Sequence, residues 1–491
     1  VSSRAPSDKR RLLYFLFAAV LCGVVLALPS PAPLETGTES IELTTNGKAS
    51  LAVLLFAVFL WMSEAIPFAV TGLVAMLLMV VTGVAPLEQL VADGFGNRII
   101  LFFIGVLVFS AAVSETKLLR RVTAFVLYNL GHSPRLIVLA FLTVGALLSG
   151  WVTDMAVAAM LFPLGVGILE DAKARPLESN FGKALMISCA WGPLIGGIST
   201  PAGCGPNPLT IDFLREMAGV DFTFPQWMAI GFPATLVMIP VSWVLLVRMF
   251  PPEDVNAKLS REEFLVRRRE LGPIERKEVT TLAVFALLVF LWVAGPLLKS
   301  WTGGGLGFLS IHFVAISCAC LLFVPGFEVI SWSEVEKKVS WGGIILIVTG
   351  LSIGKAMDAT GAARWTAWVS FHYLENLPPF VIIFVVVVGV SLLKVMFSSN
   401  TVTGVIMVPL LINLAEVLHL DPVLLAIPAG MTSSLAFILV TSTPTNVIPY
   451  SAGYFSIADM AKAGFWMTLL SSLAVTLSVY FVGGWLGIIQ V

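Results

Sequence analysis

Apolar runs of about 20 residues recur along the whole chain, each long enough to cross roughly 30 Å of hydrocarbon as a helix. They predict helices at about 12–28, 50–62, 67–84 and 98–113 in the first half, and at about 279–297, 310–324 and 341–357 in the second. Glu115, Lys117, Arg120 and Arg121 follow the fourth run and read as an amphipathic piece at the membrane surface. Strict apolar–polar alternation over about ten residues, the mark of a transmembrane barrel, is not seen.

Small polar clusters interrupt the runs, and they come in pairs. Leu148-Ser149-Gly150-Trp151-Val152-Thr153-Asp154-Met155 is matched by Met396-Phe397-Ser398-Ser399-Asn400-Thr401. A proline follows nine positions beyond Asp154 (Pro163) and nine beyond Asn400 (Pro409). A second pair lies downstream: Ser199-Thr200-Pro201, with Thr200 46 residues after Asp154, and Ser442-Thr443-Pro444, with Thr443 43 residues after Asn400. Four polar breaks in matching order inside bilayer-type sequence are the pattern of a transporter built from two repeats. The expected fold is an all-α polytopic membrane protein of about 11 transmembrane helices plus two re-entrant helical hairpins in an inverted repeat.

Sidedness follows from basic residues. The stretch 251–278 holds Lys258, Arg261, Arg267, Arg268, Arg269, Arg276 and Lys277, an excess that marks a cytoplasmic linker between halves. Lys9-Arg10-Arg11 before the first run places the N-terminus inside too; that run is longer than a signal-peptide core and is expected to stay as a helix. An even number of crossings must join the two, so the segment around Thr153 enters and returns. Three crossings after the linker then bring the segment around Asn400 in from outside. Residues 112–120 also resemble 356–364. The expected division is a first half, 1–250, with an inward-entering hairpin at about 136–170 and a broken helix at about 181–210. The second half, 279–491, has an outward-entering hairpin at about 378–416 and a broken helix at about 424–449. The expected location is a bacterial inner membrane.

Composition agrees with this class. The 491 residues are 58% hydrophobic and 12% charged, with mean hydropathy +0.95, against about 25% charged in ordinary soluble domains. The formal net charge of −1 gives no basis for a nucleic-acid partner. Cys22, Cys189, Cys204, Cys318 and Cys320 sit in apolar surroundings without ligand spacing, and read as small packing residues. No nucleophile–base pair or His-Glu-x-x-His spacing suggests an intramembrane enzyme, and no organic cofactor is expected. A channel would also use re-entrant tips, but a polar site closed by two inverted halves suits alternating access better. Trp61, Trp191, Trp292 and Trp341 read as anchors or core, Glu64 as a packing or interfacial group, and Arg248 and Lys299 as snorkelling cations.

Non-helical backbone at membrane depth survives where it is buried in protein or lines a wet cavity. The half-helix after each tip begins with unpaired N–H groups and a partial positive charge, which favour an anion. Hydroxyls and amides cap those ends and can bond substrate oxygens, while unwound carbonyls suit Na⁺. Two tips and two breaks can therefore enclose one anion flanked by cations.

The residues resemble the divalent anion/sodium symporters, transporters of dicarboxylates, citrate or sulfate, along essentially the whole chain. Ser399-Asn400-Thr401 matches that family's Ser-Asn-Thr tip. Gly196-Gly197-Ile198-Ser199-Thr200-Pro201-Ala202-Gly203-Cys204-Gly205-Pro206-Asn207 resembles its first break, and Ser442-Thr443-Pro444-Thr445-Asn446 its second. Trp61-Met62-Ser63-Glu64-Ala65-Ile66-Pro67 is similar to a further signature. The resemblance implies a homodimer in membrane lipid, a scaffold half, and an elevator-type transport half carrying a small divalent anion with Na⁺. By position it implies substrate contacts at Thr153, Asp154, Met155, Thr200, Ser399, Asn400, Thr401, Thr443 and Pro444. It implies sodium ligands at Ser149, Thr153, Asp154 and Ser199, and at Ser399, Asn400 and Ser442.

Two departures change the chemistry. The first tip reads Thr-Asp-Met, which puts a carboxylate where an anion should bind and removes a hydroxyl at Met155. Like charges about 4 Å apart repel by about 4 kcal/mol at an effective dielectric of 20. Asp154 as a Na⁺ ligand, a protonated Asp154 that couples to H⁺, or a fixed cation would each offset that. Lys394, six residues before Asn400 in an apolar arm, is the candidate fixed cation; its alternative is snorkelling to the interface. A lysine that replaces a sodium would allow anion exchange without Na⁺. Arsenite or Na⁺/H⁺ transport on a similar architecture is a further alternative. Which anion is carried is not decided by these residues.

Overall fold

The computed structural model describes residues 8–35, 40–131, 133–253, 269 and 271–489. The linker residues Lys258, Arg261, Arg267 and Arg268 lie outside them. Eight described helices are long and apolar enough to cross a membrane. A ninth is gained if Leu87–Gly94 and Ile99–Glu115, which meet at 42°, form one bent span. Four shorter apolar helices fill in between them. Among the described residues the only strands are a two-residue antiparallel pair, Leu34–Glu35 with Ser40–Ile41.

After α1 (Asp8–Ala27) the described residues form two sets of ten α-helices in the same order. The first set is α2 (Thr45–Ser63), α3 (Phe68–Val81), α4 (Leu87–Gly94), α5 (Ile99–Glu115), α6 (Leu118–Leu130), α7 (Pro134–Ser149), α8 (Asp154–Asp171), α9 (Asn180–Gly197), α10 (Pro206–Ala218) and α11 (Phe224–Met249). The second is α12 (Arg276–Trp301), α13 (Ile311–Leu321), α14 (Trp332–Lys338), α15 (Trp341–Ala359), α16 (Ala362–Phe371), α17 (Pro379–Leu393), α18 (Asn400–Val417), α19 (Pro422–Ser433), α20 (Pro444–Tyr450) and α21 (Ile457–Leu477). The halves interlock by exchanging partners. α3 packs on α15 and α13 on α5; α10 packs on α18 and α20 on α8. This reciprocal packing is that of two related halves, and it brings the second helix of each hairpin against the broken helix of the other half.

Local chemistry sets the hairpins and breaks. Ser133 caps α7 and Pro134 opens it, the N1 position proline favours. α8 and α18 each continue through an internal proline, Pro163 and Pro409. α9 is buried along nearly its whole length, so it can pack only where small residues let backbones meet. Gly196 allows this: a side-chain carbon there would fall 2.1 Å from the Ala146 carbonyl oxygen of α7. α9 begins beneath Glu253, whose carboxylate accepts from the backbone N–H groups of Asn180 and Phe181 and from the Ser179 hydroxyl. Burial opposes the charge on Glu253, but these donors prevail and hold its carboxyl below the ordinary glutamate range.

Arg121 on α6 reaches across to Glu278 on α12 through two nitrogens, at 2.7 and 3.0 Å, and thereby pins the end of the linker. Lys117 pairs with Glu275 beside it. The amphipathic piece expected from Glu115 to Arg121 is thus the junction between the end of α5 and the start of α6.

Candidate functional site

The four-residue turn 150–153 of the first hairpin and the turn 394–399 of the second end at the same cavity, of about 840 Å³. Thr153, Asp154 and Met155 line it from one half, and Ser399, Asn400 and Thr401 from the other. Thr443 and Pro444 line it as well, with Cys204 and Thr445, two residues that sequence reading did not assign to a site. Phe102 and Phe103 of α5 form an apolar wall. The cavity extends to Ser114 and Lys338.

The tips touch. Asn400 Nδ2 donates to Asp154 Oδ2 at 3.3 Å, across 246 residues of sequence, and lies 3.5 Å from Cys204 Sγ. Asp154 Oδ1 accepts from the Met155 N–H at 2.8 Å. Ser399 caps α18 by accepting from the Val402 N–H at 3.5 Å, whereas Thr153 caps α8 without a side-chain bond. Thr401 approaches α10 so closely that a side-chain carbon on Gly205 would sit 2.8 Å from its hydroxyl.

Lys394 does not snorkel. It is 1% exposed, in the 3-10 turn that ends the first arm of the second hairpin. Its ammonium donates to the Ser442 carbonyl at 2.7 Å and to the Phe397 carbonyl at 3.2 Å. Asp154 and Lys394 influence each other electrostatically but bond different partners.

Thr200 was expected beside the substrate, but it lies behind the cavity wall. Its hydroxyl donates to the Gly150 carbonyl and accepts from the Ala202 N–H, tying the first break to the first tip. Ser199 bonds within its own turn, to the Gly196 carbonyl. Ser149 is fully buried, and its Oγ has no protein partner. Ser442 contributes its carbonyl, to Lys394.

The breaks themselves are held by two asparagines. Asn207 Nδ2 donates to the carbonyls of Gly197 (2.7 Å) and Thr200 (2.8 Å). Asn446 Nδ2 donates to those of Ala436 (2.7 Å) and Leu439 (3.1 Å). The partners lie ten and seven residues upstream in both halves. Asn446 is therefore the counterpart of Asn207, and Leu439 that of Thr200. This corrects the pairing suggested by the two Ser-Thr-Pro triplets: Ser199-Thr200-Pro201 opens the first break, whereas Ser442-Thr443-Pro444 closes the second. The register is set by the helix starts, with Pro206 and Pro444 both in the first turn after the break. The Oδ1 atoms of Asn207 and Asn446, like that of Asn400, are buried with no protein partner. A proline-opened helix with asparagine in its first turn was the sequence signal for these clamps.

Comparison with known proteins bears on the family and the fold. A family model described as "Sodium:sulfate symporter transmembrane region" matches residues 9–489. The chain is 31% identical over 457 residues to a sodium-dependent dicarboxylate transporter, SdcS, of Staphylococcus saprophyticus, covering 90% of this chain and 87% of that protein. It is 29% identical over 458 residues, with the same coverage, to the SdcS protein of Staphylococcus aureus strain USA300. Among solved structures it resembles MtrF of Neisseria gonorrhoeae, an antimetabolite efflux pump, with TM-score 0.57 and 12% identity, covering 97% of this chain and 96% of that one. It also resembles the YdaH transporter of Alcanivorax borkumensis, with TM-score 0.55 and 15% identity over 98% of both chains. At these identities the two structures speak to the fold alone.

Proposed function

The chain belongs to the sodium:sulfate symporter family, and from that footing we propose that it moves a small divalent anion, dicarboxylate or sulfate, together with Na⁺ by alternating access. It is an integral membrane transporter and not an enzyme. One observation carries the reading: the tips of two inverted hairpins, joined by the Asn400–Asp154 contact, end at one polar cavity. Helix N-termini there favour the anion, and hydroxyl and amide groups can bond its oxygens. The names of the SdcS relatives favour a dicarboxylate over sulfate.

In this reading the anion rests against Ser399, Asn400, Thr401, Thr443 and Pro444, opposite Thr153 and Met155. Sodium binds near Ser149, Thr153, Asp154 and the backbone at Ser199. Ser399, Asn400 and Ser442 surround the matching place in the second half. The basic linker lies in the cytoplasm, as does the N-terminus. The cavity mouth at Ser114 and Lys338 is on the face where Lys117 meets Glu275, so this conformation is inward-facing. The first hairpin enters from that face and the second from the other. The assembly is a homodimer in a bacterial inner membrane, with elevator-type movement of the hairpins and broken helices against the remaining helices. A second reading, anion exchange, is favoured by the buried ammonium of Lys394 beside the site.

Uptake of labelled succinate and labelled sulfate into proteoliposomes, with and without an inward Na⁺ gradient, tests both. Gradient-driven uptake of one label is expected. Uptake only into vesicles preloaded with anion would give exchange instead, and no uptake of either would remove the substrate class.

A further inference from the structure

Lys394 is buried, and a buried ammonium is costly in the membrane. It persists here because main-chain oxygens receive it. The Phe397 carbonyl comes from the second tip and the Ser442 carbonyl from the second break. Unwound carbonyls where a hairpin tip meets a broken helix are the ligands that suit a small monovalent cation.

The first half has the same place with different contents. In the tip register, Asn400 matches Asp154, so Phe397 matches Trp151 and Lys394 matches Leu148. In the break register, Asn446 matches Asn207, so Ser442 matches Gly203. No ammonium stands there. Oxygens do: Ser149 Oγ is buried and unpartnered. A side-chain carbon at Gly203 would lie 2.4 Å from the Gly197 oxygen and 2.8 Å from the Ser149 oxygen, so the two carbonyls converge beside Gly203. Asn207, whose amide holds that Gly197 carbonyl, keeps its own Oδ1 free. Leaving such buried atoms without a partner is costly, a cost that a cation bound among them would offset.

We propose that the ammonium of Lys394 is the resident cation of the second half, so that the protein binds a single Na⁺, in the first half, among Ser149 Oγ, Asn207 Oδ1 and the carbonyls that converge beside Gly203. This rests on the sodium-coupled reading above and fixes its coupling. The lysine keeps a positive charge beside the anion in every step of the cycle. Sodium binding and release then belong to the first half alone.

The test titrates NaCl against the thermal unfolding midpoint of the full chain in detergent, with choline chloride holding ionic strength constant. Preferential binding to the folded state raises the midpoint with a steepness that reports the number of ions. Wild type is expected to respond with a Hill slope of about 1. Ser149→Ala should weaken the sodium response about tenfold, and Lys394→Ala should raise the slope toward about 2 while Lys394→Arg keeps it at about 1. A wild-type slope near 2, no sodium response in wild type, or a folded Lys394→Ala protein with an unchanged slope would overturn the proposal. Should Lys394→Ala fail to fold, the wild-type ratio of labelled sodium to labelled succinate entering proteoliposomes decides: about one supports the proposal and about two overturns it. Vesicles that move neither succinate nor sulfate would defeat the transport reading, and the sodium titration would still decide the cation count.

Discussion

The two hairpin tips occupy equivalent places, yet they spend the same helix end differently. Ser399 uses its hydroxyl to cap α18, which leaves Asn400 free to reach across the cavity with its amide. Thr153 makes no such cap; Asp154 takes the Met155 N–H with its own carboxylate. The positive end of α8 is thus already faced by the Asp154 carboxyl, while that of α18 is met by hydroxyl and amide groups. On the proposed reading a bound anion is favoured at the second tip and a cation at the first. Lys394 deepens the asymmetry by placing a fixed positive charge behind the second tip. The two tips differ at all three positions, Thr153/Ser399, Asp154/Asn400 and Met155/Thr401, and Lys394 stands where the first half has Leu148.

The largest effect expected from attacking this division is at Asn400. Asn400→Ala removes the amide that spans both halves and leaves Asp154 without it, a charge-assisted contact of about 1.5–3 kcal/mol. Succinate uptake in proteoliposomes should fall about 100-fold in kcat/KM; a value within threefold of wild type would reduce the second tip to a helix cap. Next comes Asp154→Asn, which makes the first tip resemble the second. Half-saturating Na⁺ should rise about tenfold, a change of about 1.4 kcal/mol, while the anion binds more tightly because the like charge is gone. Unchanged Na⁺ dependence would remove Asp154 from the cation site.

A smaller effect tests the register of the repeats. Asn207→Ala and Asn446→Ala each delete two hydrogen bonds across a break, and bonds of this kind in membranes contribute roughly 0.6–2 kcal/mol. Both should lower the thermal midpoint by similar amounts. A loss at one asparagine with none at the other would break their equivalence. The smallest effect concerns how the broken helices begin: α9 beneath Glu253, α19 beneath its own cap Asp421, which accepts from the Val423 N–H at 2.9 Å. Because the Glu253 carboxyl is held below its ordinary range, its contribution is present above the unfolded pKa of about 4.3. It is lost as pH falls through the lower folded value. Melting of wild type and Glu253→Gln should therefore differ at pH 6 and converge toward pH 3, and a gap that stays constant with pH would deny the carboxylate this role.

Much of the molecule was readable from residue order. The segments expected at about 136–170 and 378–416 are the helix pairs α7–α8, 134–171, and α17–α18, 379–417. The breaks appear after Gly197 and after Ser433. These features are local: an apolar run must match the thickness of hydrocarbon, and a polar cluster inside one must be buried in protein or wet. Charge placement was legible for the same reason, since Asp154 and Lys394 stand out against apolar neighbours.

What residue order could not decide was which polar groups meet. The two Ser-Thr-Pro triplets look equivalent along the chain, but hydrogen bonds from Asn207 and Asn446 set a different register. Asp154 and Lys394 could have paired; instead one accepts from Asn400 and the other donates to the Ser442 carbonyl. The sequence by itself determined the helices, their interruptions and the family, because each depends on composition over one or two turns. Only the tertiary structure decided the partners of Lys394 and Asp154, and left Ser149 Oγ buried without one, because the helices that carry them are far apart in the chain. Contacts between them depend on how two inverted halves interlock, to within fractions of an ångström.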